Sequence, residues 1–431
     1  MSAMLPCRLR PLASAVMMLA LAAPSLSAQT PSPTVSDFFD ATVLHEIRLT
    51  INPRDWKELK ANYQLNDYYP THFTWRGVTL KNIGIRSRGV GSRSPVKPGL
   101  RVDFDHYEKD QAFLGTLKSV VLRNNTQDAS NLHERLSMQF FARLGVPVSR
   151  EAHTKLYINN EYAGLYTLVE SVDKVFLKEH FNENNGYLFK YAYDAEDLPY
   201  FFTYRGSDPA LYSPKPFQPE THEKDPDPKP LVAMIRAINE TPLSDFLRVM
   251  ANYLDLKKFM VHVAIENFIA DVDGVLGDYG MNNYYLYRFE NKTLSAMIPW
   301  DKSEAFTGDW TRAIWHNIDN VPPSFRNELM ERAKEFIELR DVYLDTLLQC
   351  ATLARSPNPD APDESGGASA DQPGWLEQEI LREYEQVRVA AREDSVKPFS
   401  NEEFEEAIQQ LLEFARMRSA FVEGEVERNR R

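Results

Sequence analysis

Cysteine is nearly absent from this sequence, which has only Cys7 and Cys350 in 431 residues. Two cysteines cannot supply the disulfide framework of small secreted domains, so burial of apolar side chains must stabilise the fold. Beyond the first thirty residues no apolar run approaches the length of a spanning helix, so we expect no transmembrane segment in the mature chain. Cys350 follows two leucines, and we expect it to be a small buried hydrophobe.

The sequence also has fewer basic than acidic residues. The sequence has 49 Lys and Arg against 62 Asp and Glu, a formal net charge of −13. Proteins that bind nucleic acid through broad phosphate neutralisation need a basic surface, so we expect no nucleic-acid partner, although a local basic pocket is compatible with this composition. The hydrophobic content of 43% is typical of a globular protein with one large or two medium cores.

The first 28 residues have the layout of a secretory signal peptide. Arg8 and Arg10 precede the apolar run 12–23, and the small residues 25–28 follow it. The run is too short to span a bilayer comfortably. We therefore expect a secreted, periplasmic or cell-surface protein, in which residues 29–39 link the signal peptide to the folded part.

Sequence periodicity predicts a sheet with one helix up to about residue 169. Residues 43–51 alternate between apolar and polar side chains, and 120–123 are an apolar run typical of a strand. The leucines and phenylalanine of 132–144 are spaced for one face of a helix that ends at Gly145. Residues 154–169 predict a hairpin with a short polar link.

Helical periodicity dominates the second half of the chain, after a proline-rich and charged segment at 207–230 that we interpret as a surface insertion. Thr241 followed by proline predicts a helix N-cap, and Ser400 with Glu403 predicts a capping box. The predicted elements are helices at 241–253, 256–269 and 326–351, strands at 284–289 and 295–298, a polar loop at 356–374 and a final helix after Ser400.

Acidic and amide side chains recur where predicted elements end. These residues are Asp271, Asp273, Asp278, Asn283 and Asp301. A carboxylate after a helix, an amide at the start of a strand and a carboxylate after its hairpin partner can converge on one point, as a phosphate-bound Mg²⁺ requires. On spacing alone, the three aspartates between 271 and 278 could equally cap turns around the neighbouring glycines.

Several short motifs occur in a fixed order between residues 40 and 310. They are RSRG at 86–89, KPGLRVDF at 97–104, LHERL at 132–136, LGVP at 144–147, LYTLVESVDK at 165–174, NYYLY at 283–287 and IPWD at 298–301. In this order the motifs resemble the spore-coat protein H (CotH) kinase family. The resemblance implies an atypical protein-kinase-like fold and a secreted or spore-coat kinase that uses ATP with a divalent metal.

The resemblance therefore predicts a bilobal α+β fold of the atypical protein-kinase type. We expect an antiparallel-sheet N-lobe at 40–169 and a mostly helical C-lobe at 170–431, which includes the 207–230 insertion, the 356–374 loop and the C-terminal helices. The sequence has neither a His-Arg-Asp catalytic loop nor an Asp-Phe-Gly motif, which excludes an ordinary protein kinase.

The resemblance also assigns roles at the predicted site. Asp301 and Asn283 take the positions of ligands for Mg²⁺ or Mn²⁺, and Asp273 that of the catalytic aspartate that accepts the proton of the substrate hydroxyl. Asp271 and Asp278 compete with Asp273 for this role, because the glycine-containing loop leaves the alignment open.

The nucleotide contacts are predicted by the same resemblance. Lys97 or Arg101 would pair with the α- and β-phosphates, Glu134 would orient that cation, and the backbone near Glu170 would form the adenine-binding hinge. Lys97 could instead be a solvated loop lysine, and Glu134 could form a capping pair with Asn131.

Two further features bear on the predicted site: a basic turn and one departure from the family pattern. Arg86, Arg88 and Arg93 lie among glycines in a turn that could approach phosphates. The position two after Asp301 is often acidic in the family and here is Ser303. This departure leaves open a catalytically degenerate member.

The sequence thus predicts a secreted kinase that transfers the γ-phosphoryl group of ATP to a hydroxyl of an exported protein or another acceptor. The alternatives are a secreted binding, adhesion or coat-like structural protein that keeps the fold without turnover, and a calcium-stabilised structural protein.

Overall fold

The computed structural model describes residues 32–192, 199–307, 309–319, 321–357 and 373–430. The described residues from Thr34 onward form one compact unit. The predicted signal peptide lies outside the described residues, as does most of the predicted 356–374 loop. None of the described helices combines the length and apolar content that crossing a membrane requires.

Seven strands close into a barrel with the spatial order β1-β2-β3-β4-β5-β7-β6. They are β1 His45–Ile51, β2 Tyr69–Trp75, β3 Val78–Ser87, β4 Leu100–Asp103, β5 Ser119–Arg123, β6 Glu151–Ile158 and β7 Glu161–Glu170. Neighbouring strands are antiparallel except β1 and β6, which are parallel. The predicted antiparallel sheet of the N-lobe is therefore corrected to a closed barrel with one parallel pair, and closure removes the unpaired edges of an open sheet.

The barrel interior is apolar because side chains alternate along its strands. In β1, Ile47, Leu49 and Ile51 are at most 4% exposed, while Thr50 between Leu49 and Ile51 is exposed. Phe38, in the short helix α1 (Val35–Phe38), packs edge-to-face on Trp75 and closes this core. Part of the predicted linker at 29–39 thus contributes to the barrel core.

The predicted hairpin at 154–169 is confirmed as β6 and β7. Asn159 and Asn160 link the two strands and both have positive φ, 51° and 70°. Two consecutive left-handed residues match the right-handed twist of a hairpin, and asparagine tolerates this conformation better than most residues.

A second, fully antiparallel sheet has the order β11-β10-β8-β9. Its strands are β8 Tyr187–Tyr191, β9 Phe217–Pro219, β10 Tyr284–Arg288 and β11 Ser295–Pro299. The two strands predicted at 284–289 and 295–298 are confirmed as the β10–β11 hairpin. β9 lies within the segment interpreted as a surface insertion, so part of that segment extends this sheet.

The other long regular elements are helices, and α+β is confirmed as the fold class. The helices after α1 are α2 Pro53–Ala61, α3 His133–Arg143, α4 Lys174–Phe181, α5 Lys229–Glu240, α6 Leu243–Met250, α7 Leu256–Phe268, α8 Glu328–Ala333, α9 Ile337–Arg355, α10 Trp375–Glu393 and α11 Asn401–Arg430. α3 and α7 match their predictions within a few residues, and Gly145 with φ 77° follows the end of α3.

The N-cap predicted at Thr241 is wrong. Thr241 is the C-cap of α5, and the N-cap of α6 is Pro242, which makes no side-chain capping bond. Sequence reasoning missed α5 because prolines at 228 and 230 were interpreted as part of a loop, although proline is well tolerated in the first turn of a helix.

Two predictions for the C-terminal helices are confirmed. The backbone amide of Ser400 donates to Glu403, and the amide of Glu403 donates to the Ser400 hydroxyl, which is a capping box. Cys350 is fully buried in α9, and burial raises the pKa of its thiol far above the ordinary value.

Arg418 of α11 anchors the C-terminus of α7. Its guanidinium is fully buried and donates to the carbonyls of Asn267 and Phe268 at 2.6 and 2.9 Å. It also donates to the carbonyls of Trp310 and Arg312. One side chain thus satisfies carbonyls that the last turn of a helix leaves without intrahelical partners.

We expect Arg418→Met to lower the free energy of unfolding by about 3 kcal/mol or more, because it leaves four carbonyls without this donor. Arg416→Met is the matched control, since Arg416 lies on the same helix but pairs with Glu377 at the surface, and it should cost less than about 1 kcal/mol. Urea unfolding followed by tryptophan fluorescence measures both. Equal losses in the two variants would contradict the assigned role.

Candidate active site

The candidate site lies where five elements end near one another. The C-terminus of β5, the first turn of α3, the loop after α7, the start of β10 and the end of β11 contribute to it. Part of it is a cleft lined by Arg88, Ser92, Arg123, Asn124, Asn125, Thr126, Gln127, Asp128, Glu134, Asp301 and Ser303.

Strand pairing brings Asn283 and Asp301 together. In the β10–β11 hairpin Tyr284 pairs with Pro299, so Asn283 stands opposite Trp300, whose amide donates to the Asn283 carbonyl at 3.1 Å. Asn283 and Asp301 both have left-handed backbones, with φ of 58° and 50°. Strained backbone in ordered structure often occurs at functional sites.

Asp301 receives the guanidinium of Arg123. Arg123 Nη1 lies 2.5 Å from Asp301 Oδ2, and the Ser303 hydroxyl donates to Asp301 Oδ1 at 3.1 Å. Burial on its own raises the pKa of Asp301, but Arg123 and then Arg88 outweigh burial and hold this pKa well below the ordinary range. Asp301 is therefore an anion throughout the physiological pH range.

Arg123 is held from its other side by Glu134. Arg123 Nη2 lies 3.1 Å from Glu134 Oε1, and the Arg123 guanidinium stacks over the Trp300 ring at 4.7 Å. The second oxygen of Glu134 accepts the backbone amide of Lys302 at 2.6 Å. The capping pair with Asn131 is not formed, since the N-cap of α3 is Leu132.

Two further cations surround Asp301. Burial and then Arg123 lower the pKa of Arg88 to about 10, and burial and then Arg88 lower the pKa of Lys190 to about 8. Burial is the larger cause of both shifts, and repulsion between neighbouring cations adds to it, while the Asp301 carboxylate acts in the opposite direction. An anion in the cleft would relieve this repulsion.

The basic turn predicted at 86–93 places Arg88 in the cleft. Arg93 instead donates to the carbonyls of Gly89, Tyr63 and Leu65, so it holds the loop together. Gly89 has φ 110°, and a Cβ there would meet the Ser92 hydroxyl at 2.5 Å, so this turn requires glycine.

Asp273 lies beside the same hairpin. The side-chain amide of Asn283 donates to Asp273 Oδ2 at 2.8 Å, and that of Asn282 to both carboxylate oxygens at 3.1 Å. Burial raises the pKa of Asp273 to about 7; the Asn282 amide opposes this rise, and the Asp271 and Asp301 carboxylates add to it. Asp273 and Asp301 therefore interact electrostatically as two anions on one site.

The competing aspartates have other partners. Asp271 and Glu266 both accept from the fully buried ammonium of Lys302, at 2.9 and 2.6 Å. Asp278 accepts from Arg312, Asn317 and, at 2.8 Å, His316. The described residues give Asp273 no ion pair, which favours it among the three as a proton acceptor.

The predicted nucleotide residues lie in different surroundings. Lys97 is 1% exposed and pairs with Asp394 at 2.7 Å, far along the chain, so its ammonium is already neutralised. Arg101 pairs with Asp103 at 3.1 Å. Its guanidinium also interacts electrostatically with Glu220, directly after β9, and with Tyr285 of β10.

Glu170, the predicted hinge residue, pairs with Arg150 at 2.5 Å. Glu134 pairs with Arg123, and not with Lys97 or Arg101, the cations predicted for it from the sequence.

Sequence reasoning missed Arg123, Lys190 and Lys302 as site residues. Arg123 did carry a signal, since it is the charged residue that ends the apolar strand 119–123 and precedes two asparagines. Lys190 and Lys302 carry no such signal, because each becomes a site residue only through elements distant in sequence.

The carboxylate of Asp301 and the side-chain amide oxygen of Asn283 are hard oxygen donors of the kind that a divalent cation takes. Among the described residues no three His, Cys, Asp or Glu side chains converge as a complete metal cage. Mg²⁺ typically takes only one or two carboxylates and completes its shell with phosphate oxygens and water. The sequence-predicted ligands, Asp301 and Asn283, would supply one carboxylate and one amide oxygen to such a shell.

Comparison with known proteins matches this region of the chain. The family model described as CotH kinase protein covers residues 85–349, more than half of the chain. The inner spore coat protein H of Bacillus subtilis (strain 168) is 24% identical over 381 residues, which cover 87% of this chain and 95% of that protein. The family predicted from the ordered motifs is confirmed.

The raised pKa of Asp273 predicts a pH-dependent stability. Between about pH 4 and pH 7 the folded state holds a proton that the unfolded state has released, so stability falls as pH rises through this window. Asp273→Asn should match the wild type near pH 4 and exceed it at pH 8 by about 2–4 kcal/mol. Chemical unfolding across this range measures the difference.

Asp341→Asn is the control for that series, since Asp341 is exposed on α9. The stability of this variant should change with pH in parallel with that of the wild type. A constant offset between Asp273→Asn and the wild type at every pH would contradict the raised pKa.

Proposed function

This chain belongs to the CotH kinase protein family, and we propose that it is an exported, ATP-dependent atypical kinase. It transfers the γ-phosphoryl group of ATP to a hydroxyl of a protein or another acceptor, with Mg²⁺ or Mn²⁺. The barrel and the helical part act as the two lobes of a kinase-like arrangement. The observation that carries the proposal is Arg123, which is held between Glu134 and Asp301 beside Asp273.

The cleft cations bind the nucleotide phosphates. Arg88, Arg123 and Lys190 are three cations beside the two carboxylates of Asp301 and Glu134, and burial followed by repulsion from a neighbouring arginine lowers the pKa of Arg88 and of Lys190. Phosphoryl transfer asks mainly for positioning and charge stabilisation, which preorganised guanidinium groups provide. Arg123 takes the part proposed from sequence for Lys97 or Arg101, and Arg101 lies on the side of the second sheet.

Asp301 and Asn283 hold the divalent cation, which, when bound, neutralises charge on the phosphate oxygens. The strand register fixes both residues at one corner, and the Ser303 hydroxyl and Arg123 fix the orientation of the Asp301 carboxylate. Because Ser303 donates a hydrogen bond instead of adding a carboxylate, this corner carries less negative charge than an Asp-x-Asp pair.

Asp273 accepts the proton of the acceptor hydroxyl. The Asn282 and Asn283 amides orient its carboxylate, and its pKa of about 7 places proton acceptance close to neutral pH. Asp271 and Asp278 are bound to cations and act in the scaffold.

The first 28 residues support export, since their charges and apolar run have the layout of a signal peptide.

Asp301→Asn tests the metal role. We expect label transfer from γ-labelled ATP to fall about a hundredfold or more, because the variant loses the anion that faces the cation and Arg123. Transfer to the chain itself and to a library of Ser, Thr and Tyr peptides is measured with Mg²⁺ and with Mn²⁺. Asp341→Asn is the control and should keep the wild-type rate. A wild type that binds ATP without transfer would overturn the kinase proposal and support a binding protein.

Arg123→Lys tests the phosphate contact. Lysine keeps the charge but cannot bridge Glu134 and Asp301 as the planar guanidinium does, so the dissociation constant for ATP should rise about tenfold. Calorimetric titration measures it. Arg48→Lys is the control, since Arg48 pairs with Glu46 on β1 and should leave affinity unchanged. Unchanged affinity in Arg123→Lys would remove Arg123 from the nucleotide site.

A further inference from the structure

Helix α10 lies outside the part of the chain that the family model matches, yet it contributes buried carboxylates to the folded unit. It packs against α3 and β7. Glu383, in the middle of α10, is 0% exposed, and Asp394, directly after its end, is 2% exposed. Buried carboxylates require partners, and both find theirs in the first half of the chain.

Glu383 binds Arg135 of α3. Arg135 donates to Glu383 Oε1 through Nε at 3.0 Å and Nη2 at 2.8 Å, and Nη1 donates to the Glu151 carbonyl at 3.0 Å. The other Glu383 oxygen lies 2.9 Å from His153 Nε2. Glu379, one turn earlier on α10, accepts from Arg135 at 3.3 Å. The guanidinium is therefore fixed from several directions.

Arg135 directly follows Glu134 in the first turn of α3. The N-cap residue Leu132 makes no side-chain capping bond, so this turn depends on contacts from outside the helix. Asp128 accepts the amide of His133 at 2.9 Å, and Glu383 holds Arg135. Any rotation or fraying of this turn moves Glu134 away from Arg123.

Apolar contacts alone could attach α10 to α3. Phe140 of α3 already packs edge-to-face on Trp375 of α10, with ring centroids 5.1 Å apart. Replacing a buried ion pair by apolar side chains of similar volume is often neutral or stabilising, so attachment does not require Arg135 and Glu383. The ion pair instead fixes the orientation of the Arg135 side chain, because its guanidinium is bound to Glu383 through two nitrogens.

We propose that Glu383 is a positioning residue of the site, which holds Arg135 and thereby fixes the Glu134 carboxylate that presents Arg123 to Asp301. Its effect on phosphoryl transfer rests on the proposed function, whereas its effect on α3 does not. The C-terminal helices thus complete the site from outside the matched region.

Asp394 provides a matched control. Like Glu383 it is a buried carboxylate from the same segment, and it pairs with the buried ammonium of Lys97 at 2.7 Å and accepts the Leu165 amide at 3.0 Å. These partners belong to the β3–β4 loop and to β7, and among the described residues neither forms a hydrogen bond with residues 133–136. A purely structural role for α10 predicts similar consequences for the loss of either carboxylate.

The experiment compares Glu383→Gln with Asp394→Asn in the full-length mature chain. We expect kcat for transfer from ATP to fall about tenfold in Glu383→Gln, since small misplacements of positioning groups reduce rates by up to about a hundredfold. KM for ATP should change less than kcat. Asp394→Asn should keep kcat within about twofold. Equal falls in kcat that follow the loss of stability in both variants would overturn the proposal.

Hydrogen exchange at the backbone amides of residues 134–138 is the second measurement and needs no activity. Glu383→Gln should raise their exchange rates about tenfold over the wild type, and Asp394→Asn should not. If the wild type transfers no phosphoryl group, the proposed function fails, while the exchange rates still decide the role of Glu383. Equal exchange in both variants would overturn that role.

A milder variant and a double mutant complete the test. Glu379→Gln weakens the same guanidinium contact and should change exchange and kcat in the same direction by less, so it replaces Glu383→Gln if that variant does not fold. Glu383→Gln combined with Glu134→Gln should be no slower than Glu134→Gln alone, because both act through one carboxylate. Full additivity of the two effects would contradict the pathway through Glu134.

Discussion

The site depends on one buried guanidinium. Arg123 ends a barrel strand, Glu134 begins a helix and Asp301 follows a strand of the second sheet, and the ion pairs among them join these elements. A buried charge is stable only when its partners are fixed, because the desolvation cost is recovered only with good geometry. The position of Arg123 therefore requires that the barrel, α3 and the β10–β11 hairpin are placed correctly at the same time.

The site combines buried cations with buried carboxylates. Arg88, Arg123 and Lys190 all interact with Asp301, and the Asp301 carboxylate adds to the raised pKa of Asp273. Burial of each charged group costs desolvation free energy. A bound anion beside the cations and a bound cation beside the carboxylates would offset that cost. Lys302 differs, because its ammonium is already balanced by Glu266 and Asp271 and so belongs to the scaffold.

Local sequence patterns predicted the structural elements that depend on residues close together in the sequence. The hairpins, α3, α7 and the capping box were predictable because alternation, helical spacing and cap residues act over a few positions. Asn283 and Asp301 could be placed together for the same reason, since a short hairpin fixes their register.

Pairings across the chain were not predictable in this way. Lys97 lies in a family motif, but its partner Asp394 is 297 residues away, and only the packing of α10 on the barrel reveals it. Barrel closure likewise depends on the parallel pair of β1 and β6, which no local pattern specifies. Arg123 was assigned only to a strand, because its role requires knowledge of two distant carboxylates.

One further carboxyl group explains how Glu134 can serve Arg123 and the Lys302 amide together. Burial and then the Glu134 carboxylate raise the pKa of Glu151 well above its ordinary value, so Glu151 keeps its proton. Glu151 therefore adds no negative charge beside Glu134, which accepts the Lys302 amide and pairs with the Arg123 guanidinium. Arg135 binds the backbone carbonyl of Glu151 and the side chain of Glu383, so the same contacts that hold α3 also hold this acid in place. The orientation of Arg123 is therefore set by a layer of buried groups behind it that no motif of the cleft contains.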